Sequence, residues 1–178
     1  MTENSATEPV VETAKILVET ETALLEAFRQ HAFPAVILRL AGIYGRKRGY
    51  WFRQFMSGQA EIENDGRRIL NMIHRDDVVG AVRAALKEAK PGEIYNVVDN
   101  EPVTQMEFFR WLSEKTGRSL PPVKVQSAGT SGKRGLTNKR ISNSRLKTQL
   151  RYRFKYPTFR EGYEQELGEF KERKERDV

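Results

Sequence analysis

The side chains best suited to chemistry are His74, followed by Arg75, Asp76 and Asp77, and Tyr44 in the glycine-punctuated stretch AGIYGRKRG. His74 titrates near neutrality, so a general acid–base role is open to it. The alternative is a histidine that ends a strand and bonds a backbone group. Asp76 and Asp77 form an acidic pair, but either one serves equally as the cap of a helix that follows. Leu40 to Gly45 would lie at the C-terminal end of the strand AVILRL, where ligands bind in open α/β sheets. Tyr44 is the contact residue there, or else a core tyrosine with its hydroxyl satisfied. The glycines of GTSGKRG, Gly129 to Gly135, have no strand before them and no good helix after them. Lys133 is followed by Arg134 rather than Ser or Thr, so the phosphate-loop pattern fails and a flexible basic loop is expected. There is no cysteine, and the two histidines, His31 and His74, are far apart in sequence. Thiolate chemistry is excluded and a metal site is not expected.

These residues need elements to hold them. Residues 1–11 read as a disordered N-terminus. From Glu12 to Phe28, Ile16, Leu17, Leu24, Leu25 and Phe28 recur at helical spacing. AVILRL is a short apolar run after Pro34 and reads as a buried strand, with AGIYGRKRG a loop behind it. YWFRQFMSG reads as a short helix ending at Gly58. RRILNMIH reads as a strand, and VVGAVRAALKEA as a helix stopped by Pro91 and Gly92. EIYNVV is a further strand. Thr104 with Glu107 three residues on makes a capping box for a helix that ends at Gly117. Residues 118–138 read as a long loop, Asn143 as the cap of a short helix, RYRFKYP as extended, and FREGYEQELGEFKERKERD as a last helix. Alternation of strands and helices argues an α/β fold with parallel strands. AVILRL and EIYNVV are apolar enough to be covered on both faces, yet so few strands make a poor sheet alone. The chain therefore reads as part of a larger sheet.

The net charge of +7 raises a second function, a basic module binding nucleotides or nucleic acid. Much of the excess lies between Lys133 and Arg160, where a solvated surface serves as well. Nucleic acid is not the expected partner. No apolar run approaches the roughly 20 residues that span a bilayer, and the acidic start, MTENSATEPVVET, does not resemble a secretory signal. A cytoplasmic protein without membrane contact is expected.

Four motifs in order resemble the extended short-chain dehydrogenase/reductases, the NAD-dependent epimerase/dehydratase family. VILRLAGIYG resembles their strand and loop "ILRP-x-x-VYG", and RRILNMIHRDDVVGAVRAAL their strand and helix "x-F-I-x-V-D-D-V-A-x-A". GEIYNVVDNEPVTQMEFFRWLSEKTG is similar to "G-x-x-YNV-x-x-x-x-x-T-x-x-E". NKRISNSRLKTQLRYRFKYPTFREGYEQEL resembles the "KR-x-SN-x-x-L" ending of an atypical branch. The resemblance covers residues 12–167, leaving 168–178 as a charged tail.

The resemblance implies the C-terminal part of such a protein: a partial Rossmann-like parallel sheet plus the small α/β subdomain that holds the substrate, often a nucleotide sugar. NAD or NADP is implied for the complete fold, with hydride transfer to a sugar carbon. Leu40, Ala41 and Gly42 would meet the cofactor, although Leu40 stands where the family has proline. Tyr44, His74, Arg75, Arg140 and Asn143 would meet the substrate. The family's Tyr-x-x-x-Lys pair, which helical geometry puts on one face, is absent, since none of the six tyrosines has lysine four residues later. Matching Arg39 and the helix glutamate puts the two slots at Thr13 and Leu17 if Glu21 is matched, or at Val11 and Lys15 if Glu19 is. Lys15 is thus a weak catalytic candidate. The glycine turn that carries a pyrophosphate is also not found. The expectation is a chain that is inactive and binds no cofactor alone, its partner being an N-terminal Rossmann half or a second copy of itself.

Overall fold

The computed structural model describes residues 1–124 and 138–176. The stretch GTSGKRG, expected as a flexible basic loop, lies outside the described residues. Helix α1 (Glu12–His31) leads to strand β1 (Ile37–Leu40), which pairs in parallel with β6 (Ile94–Val97), Arg39 opposite Asn96. One residue later the chain changes partner. Ala41 N still donates to Val97 O, whereas Gly42 N donates to Asn71 O. Strand β2 (Gly42–Tyr44) then runs parallel to β5 (Met72–His74). The segment expected as a loop after AVILRL therefore contains a strand. Alternating glycines carry no apolar signal, and β2 exists only because β5 lies beside it.

RRILNMIH divides as well. Ile69–Leu70 (β4) pairs antiparallel with Val103–Thr104 (β7), and only Met72–His74 joins β2. Asn71 sits at the division, its Nδ2 donating to Lys139 O and its Oδ1 accepting from Ile141 N. A third parallel pair joins Ile62–Glu63 (β3) to Val123–Lys124 (β8). The architecture is α/β with short, mostly parallel pairs, as the sequence implied.

The buried apolar side chains form two cores. In one, Ile73, Tyr95 and Val97 of the strands pack with Ala81 and Ala85 of α3 (Arg75–Glu88) and with Leu146 and Leu150 at α5 (Ser144–Gln149). The other is aromatic. Phe55 of α2 (Tyr50–Met56), Phe108, Phe109 and Trp111 of α4 (Gln105–Thr116), Phe159 of α6 (Phe159–Gly162) and Tyr163 enclose one another, with α7 (Glu164–Arg176) alongside through Leu167. Apolar burial of this kind contributes about 1.5–3 kcal/mol per large side chain. The capping box forms as expected: Thr104 Oγ1 accepts from Glu107 N, and Glu107 Oε2 accepts from Thr104 N. Gly117 ends α4 at φ 68°, a conformation costly for a residue with a Cβ.

Three local expectations differ. Residues 1–10 lie against the strand ends rather than hanging free. Glu3 is buried and accepts Asn96 N, a contact that leaves no periodic trace in sequence. His74, rather than Asp76 or Asp77, caps α3, its Nδ1 accepting from Asp76 N. Asn143 precedes α5 without a side-chain cap bond.

Candidate functional site

The ends of β1 and β6 open on a cleft of about 650 Å³. Its walls are Arg39, Leu40 and Ala41 after β1, Asn96 and Val98 at β6, Lys139 and Ile141, and residues 1–2, 5–11, 14 and 18 of the N-terminal stretch and α1. A cleft of this size at strand ends is a normal ligand site in α/β folds.

Arg39 organises its floor. The guanidinium grips Glu21 with two donors, Nε at 3.0 Å to Oε2 and Nη2 to Oε1, while Nη1 donates to Glu3 O at 3.3 Å. Two-pronged pairing of this kind fixes orientation as well as charge, and it raises the guanidinium pKa further. The pair ties the middle of α1 to β1. Lys15 stands in solvent, 3.6 Å from Glu12.

The expected site residues separate. Leu40, 44% exposed, and Ala41 line the cleft, while Gly42 turns away into β2. Tyr44 is enclosed in the aromatic core, stacked on Tyr163 at 4.6 Å between ring centres, and its hydroxyl donates to Thr158 O. This geometry matches the core reading of Tyr44. Gly162 makes room for it, since a Cβ there would come within 2.2 Å of the Tyr44 hydroxyl. His74 is buried beneath Tyr156, 3.9 Å between ring centres. Burial lowers its pKa, the neutral form suits Nδ1 as the cap acceptor, and no part of it lines the cleft. Arg75 is exposed and donates to Arg46 O. Arg140 is exposed and donates to Pro102 O. Asn143 is buried, and its Nδ2 donates to Val98 O, Asp99 O and Asn100 Oδ1, clamping the turn after β6.

Besides Glu3, sequence reading missed two further buried carboxylates. Asp77, fully buried, accepts Tyr152 Oη, Lys155 N and Tyr156 N at 2.7–2.9 Å, and so anchors the extended segment RYRFKYP to α3. Asp99 is 1% exposed; its Oδ1 accepts Glu101 N, and Oδ2 has no partner among the described residues. Burial pushes its pKa up to about 8. An acidic pair and a D-N-E turn were legible, but which carboxylate turns inward was not.

Among the described residues no cluster could hold a metal ion, and no helix is long and apolar enough to cross a membrane. The residues that line the cleft fit one end of a dinucleotide. Leu40 and Ala41 offer an apolar wall for a ring. The described strand that leads through glycines into a helix, β2 by way of Gly45 and Gly49 into α2, lies outside the cleft. Helix α1, whose first turn borders the cleft, follows no strand or glycine turn that could hold the pyrophosphate.

Protein YeeZ of Escherichia coli K12 is 30% identical over 158 residues, covering 87% of this chain and 52% of that protein. Human dTDP-D-glucose 4,6-dehydratase is 30% identical over 117 residues, 62% of this chain and 33% of that protein. The dTDP-glucose 4,6-dehydratase of Bacillus anthracis, solved in complex with NAD, superposes with a TM-score of 0.81 at 17% identity, over 98% of this chain and 57% of that one. By sequence and by fold, the chain is related to the NAD-dependent epimerase/dehydratase family. A conserved Silicibacter pomeroyi protein of unknown function matches with a TM-score of 0.79 and 27% identity, over 95% of this chain and 59% of that one. No family model matches the chain. The chain spans about half the length of the first curated relatives it matches.

Proposed function

We propose that this chain is the C-terminal, substrate-side part of an NAD(P)-dependent epimerase, dehydratase or reductase, and that it is inactive without a dinucleotide-binding half. The cleft at the ends of β1 and β6, with Leu40 and Ala41 on its wall and Arg39 locked to Glu21, carries this reading. The substrate is a nucleotide sugar or a similar small molecule. Relatives named for dTDP-D-glucose point to the former, and a Streptomyces relative, 27% identical over 138 residues, is named a 3-diazoavenalumate denitrifying reductase. NAD or NADP would supply hydride chemistry. This chain would supply the strand-end wall and the subdomain behind it, in the cytoplasm.

Titration calorimetry of the purified chain with NAD and NADP tests the proposal. No binding in the low micromolar range is expected from the chain alone, with binding restored when a dinucleotide-binding half from a relative is added. Low micromolar binding by the chain alone would overturn it. The second reading, a basic module, loses ground on one observation. Arg145 is engaged with Glu93 and Asn4, Lys155 with Asp76, and Arg160 with Glu101, so three of the eight described cations between Lys139 and Arg160 are paired with carboxylates within the fold.

A further inference from the structure

The cleft has a more definite chemistry than its family setting implies. Val10, Val11, Val18, Leu40, Val98 and Ile141 give it a largely apolar lining, suited to the apolar part of a ligand. Its cations are unequal. Arg39 is consumed by Glu21 and Glu3 O, and the terminal ammonium of Met1 donates to Arg140 O. That leaves Lys139, half-buried, with no ion pair or hydrogen bond to its ammonium among the described residues.

Lys139 is also held in place. Asn71 grips the backbone directly after it, bonding Lys139 O at 2.6 Å and Ile141 N at 3.0 Å. Asn138 Oδ1 accepts Ile69 N at 3.0 Å, and Ser142 N donates to Met1 O. Four bonds therefore fix the segment that presents the side chain, so little backbone entropy remains to be lost when it meets an anion. An ammonium beside an apolar wall gains more from pairing with an anion than one in open water does. Glu8 is the carboxylate on the same cleft; it is exposed, and no ion pair joins it to Lys139 among the described residues.

We infer that the cleft binds a small molecule with an apolar body and one anionic group, a carboxylate or a phosphate monoester, and that Lys139 is the residue that recognises the anion. The inference rests on the proposal that this cleft is the ligand site, and it narrows the ligand that the chain itself selects.

Anilinonaphthalene sulfonate, an apolar aromatic body with one negative charge, serves as probe for the full chain, and N-phenyl-naphthylamine is its neutral counterpart. Fluorescence titration is expected to show both probes binding. Lys139→Met should weaken the anionic probe about tenfold and leave the neutral one within twofold, while Lys139→Arg keeps both. Leu86→Glu, on the exposed face of α3, controls for binding outside the cleft and should leave the Lys139-dependent component intact. Benzoate and phenyl phosphate are then competed against the anionic probe, with benzyl alcohol as the neutral control. The better competitor names the anionic group. Equal loss of both probes in Lys139→Met, no effect of that substitution, or competition as strong by benzyl alcohol would overturn the inference. Stabilisation by a dinucleotide-binding half reads the family proposal separately. A Lys139-dependent site without that stabilisation leaves the ligand assignment standing and removes the enzyme-part reading.

Discussion

At the scale of single residues, the burial of Asp99 has a measurable consequence. A carboxyl with a folded pKa of about 8 binds its proton over a range where the unfolded chain, near 4, has released it. The folded state is therefore favoured at the acid end. Stability falls as pH rises from about 4 to about 8, by up to about 1.4 kcal/mol per pH unit, and the slope ends above the folded pKa. His74 acts in the opposite sense. Its pKa is lowered by burial, so its contribution is lost as pH falls below the ordinary histidine value. Asp99→Asn keeps the acceptor for Glu101 N and abolishes the first dependence. Thermal melts at pH 7 and pH 8 should show the variant more stable than the wild type, with the difference growing between them. Equal slopes for the two proteins would mean that Asp99 is ionised when folded.

At the scale of elements, two carboxylates perform different tasks. Glu107 and Thr104 close the first turn of α4 in solvent. Thr104→Ala should cost about 1 kcal/mol, the usual worth of an N-cap. Asp77 lies at the start of α3 but holds another segment, bonding two backbone amides and one tyrosine hydroxyl of residues 152–156. Asp77→Ala strands those buried donors and should cost about 3 kcal/mol or more. Urea denaturation of both variants checks the order, and a larger loss for Thr104→Ala would refute the assigned role of Asp77. The capping box was legible because its two members sit three residues apart on one turn. Asp77 was not, because its partners lie more than seventy residues downstream.

At the scale of the molecule, the described strands form only two-stranded sheets, so β1 is paired on one side alone, with β6. Apolar side chains also remain in solvent. Val79, Val82 and Leu86 line one face of α3, with Leu86 85% exposed, and Ile16 and Leu17 stand out from α1. A free parallel edge beside exposed apolar faces invites another chain. The purified chain should therefore associate in light scattering, and its melting temperature should rise when the dinucleotide-binding half of a relative is supplied. A strict monomer with a sharp melt, unmoved by that half, would show that the strands are complete in themselves.

What the sequence determined by itself is whatever depends on neighbours along the chain. The helical spacing of Ile16, Leu17, Leu24 and Leu25, the apolar runs AVILRL and EIYNVV, and the Thr104–Glu107 box all became elements where expected. The order of motifs was enough to find the family. Tertiary structure alone decided the chemistry of the site, because burial and pairing are long-range facts. Only the fold could enclose Tyr44 and His74 and choose Glu21 over Glu19 for Arg39. It also turned RRILNMIH into strands of two different sheets, and left Lys139 as the free cation of the cleft among the described residues. A side chain's neighbours in sequence fix its backbone conformation, but its charge and reactivity answer to the groups that the fold brings beside it.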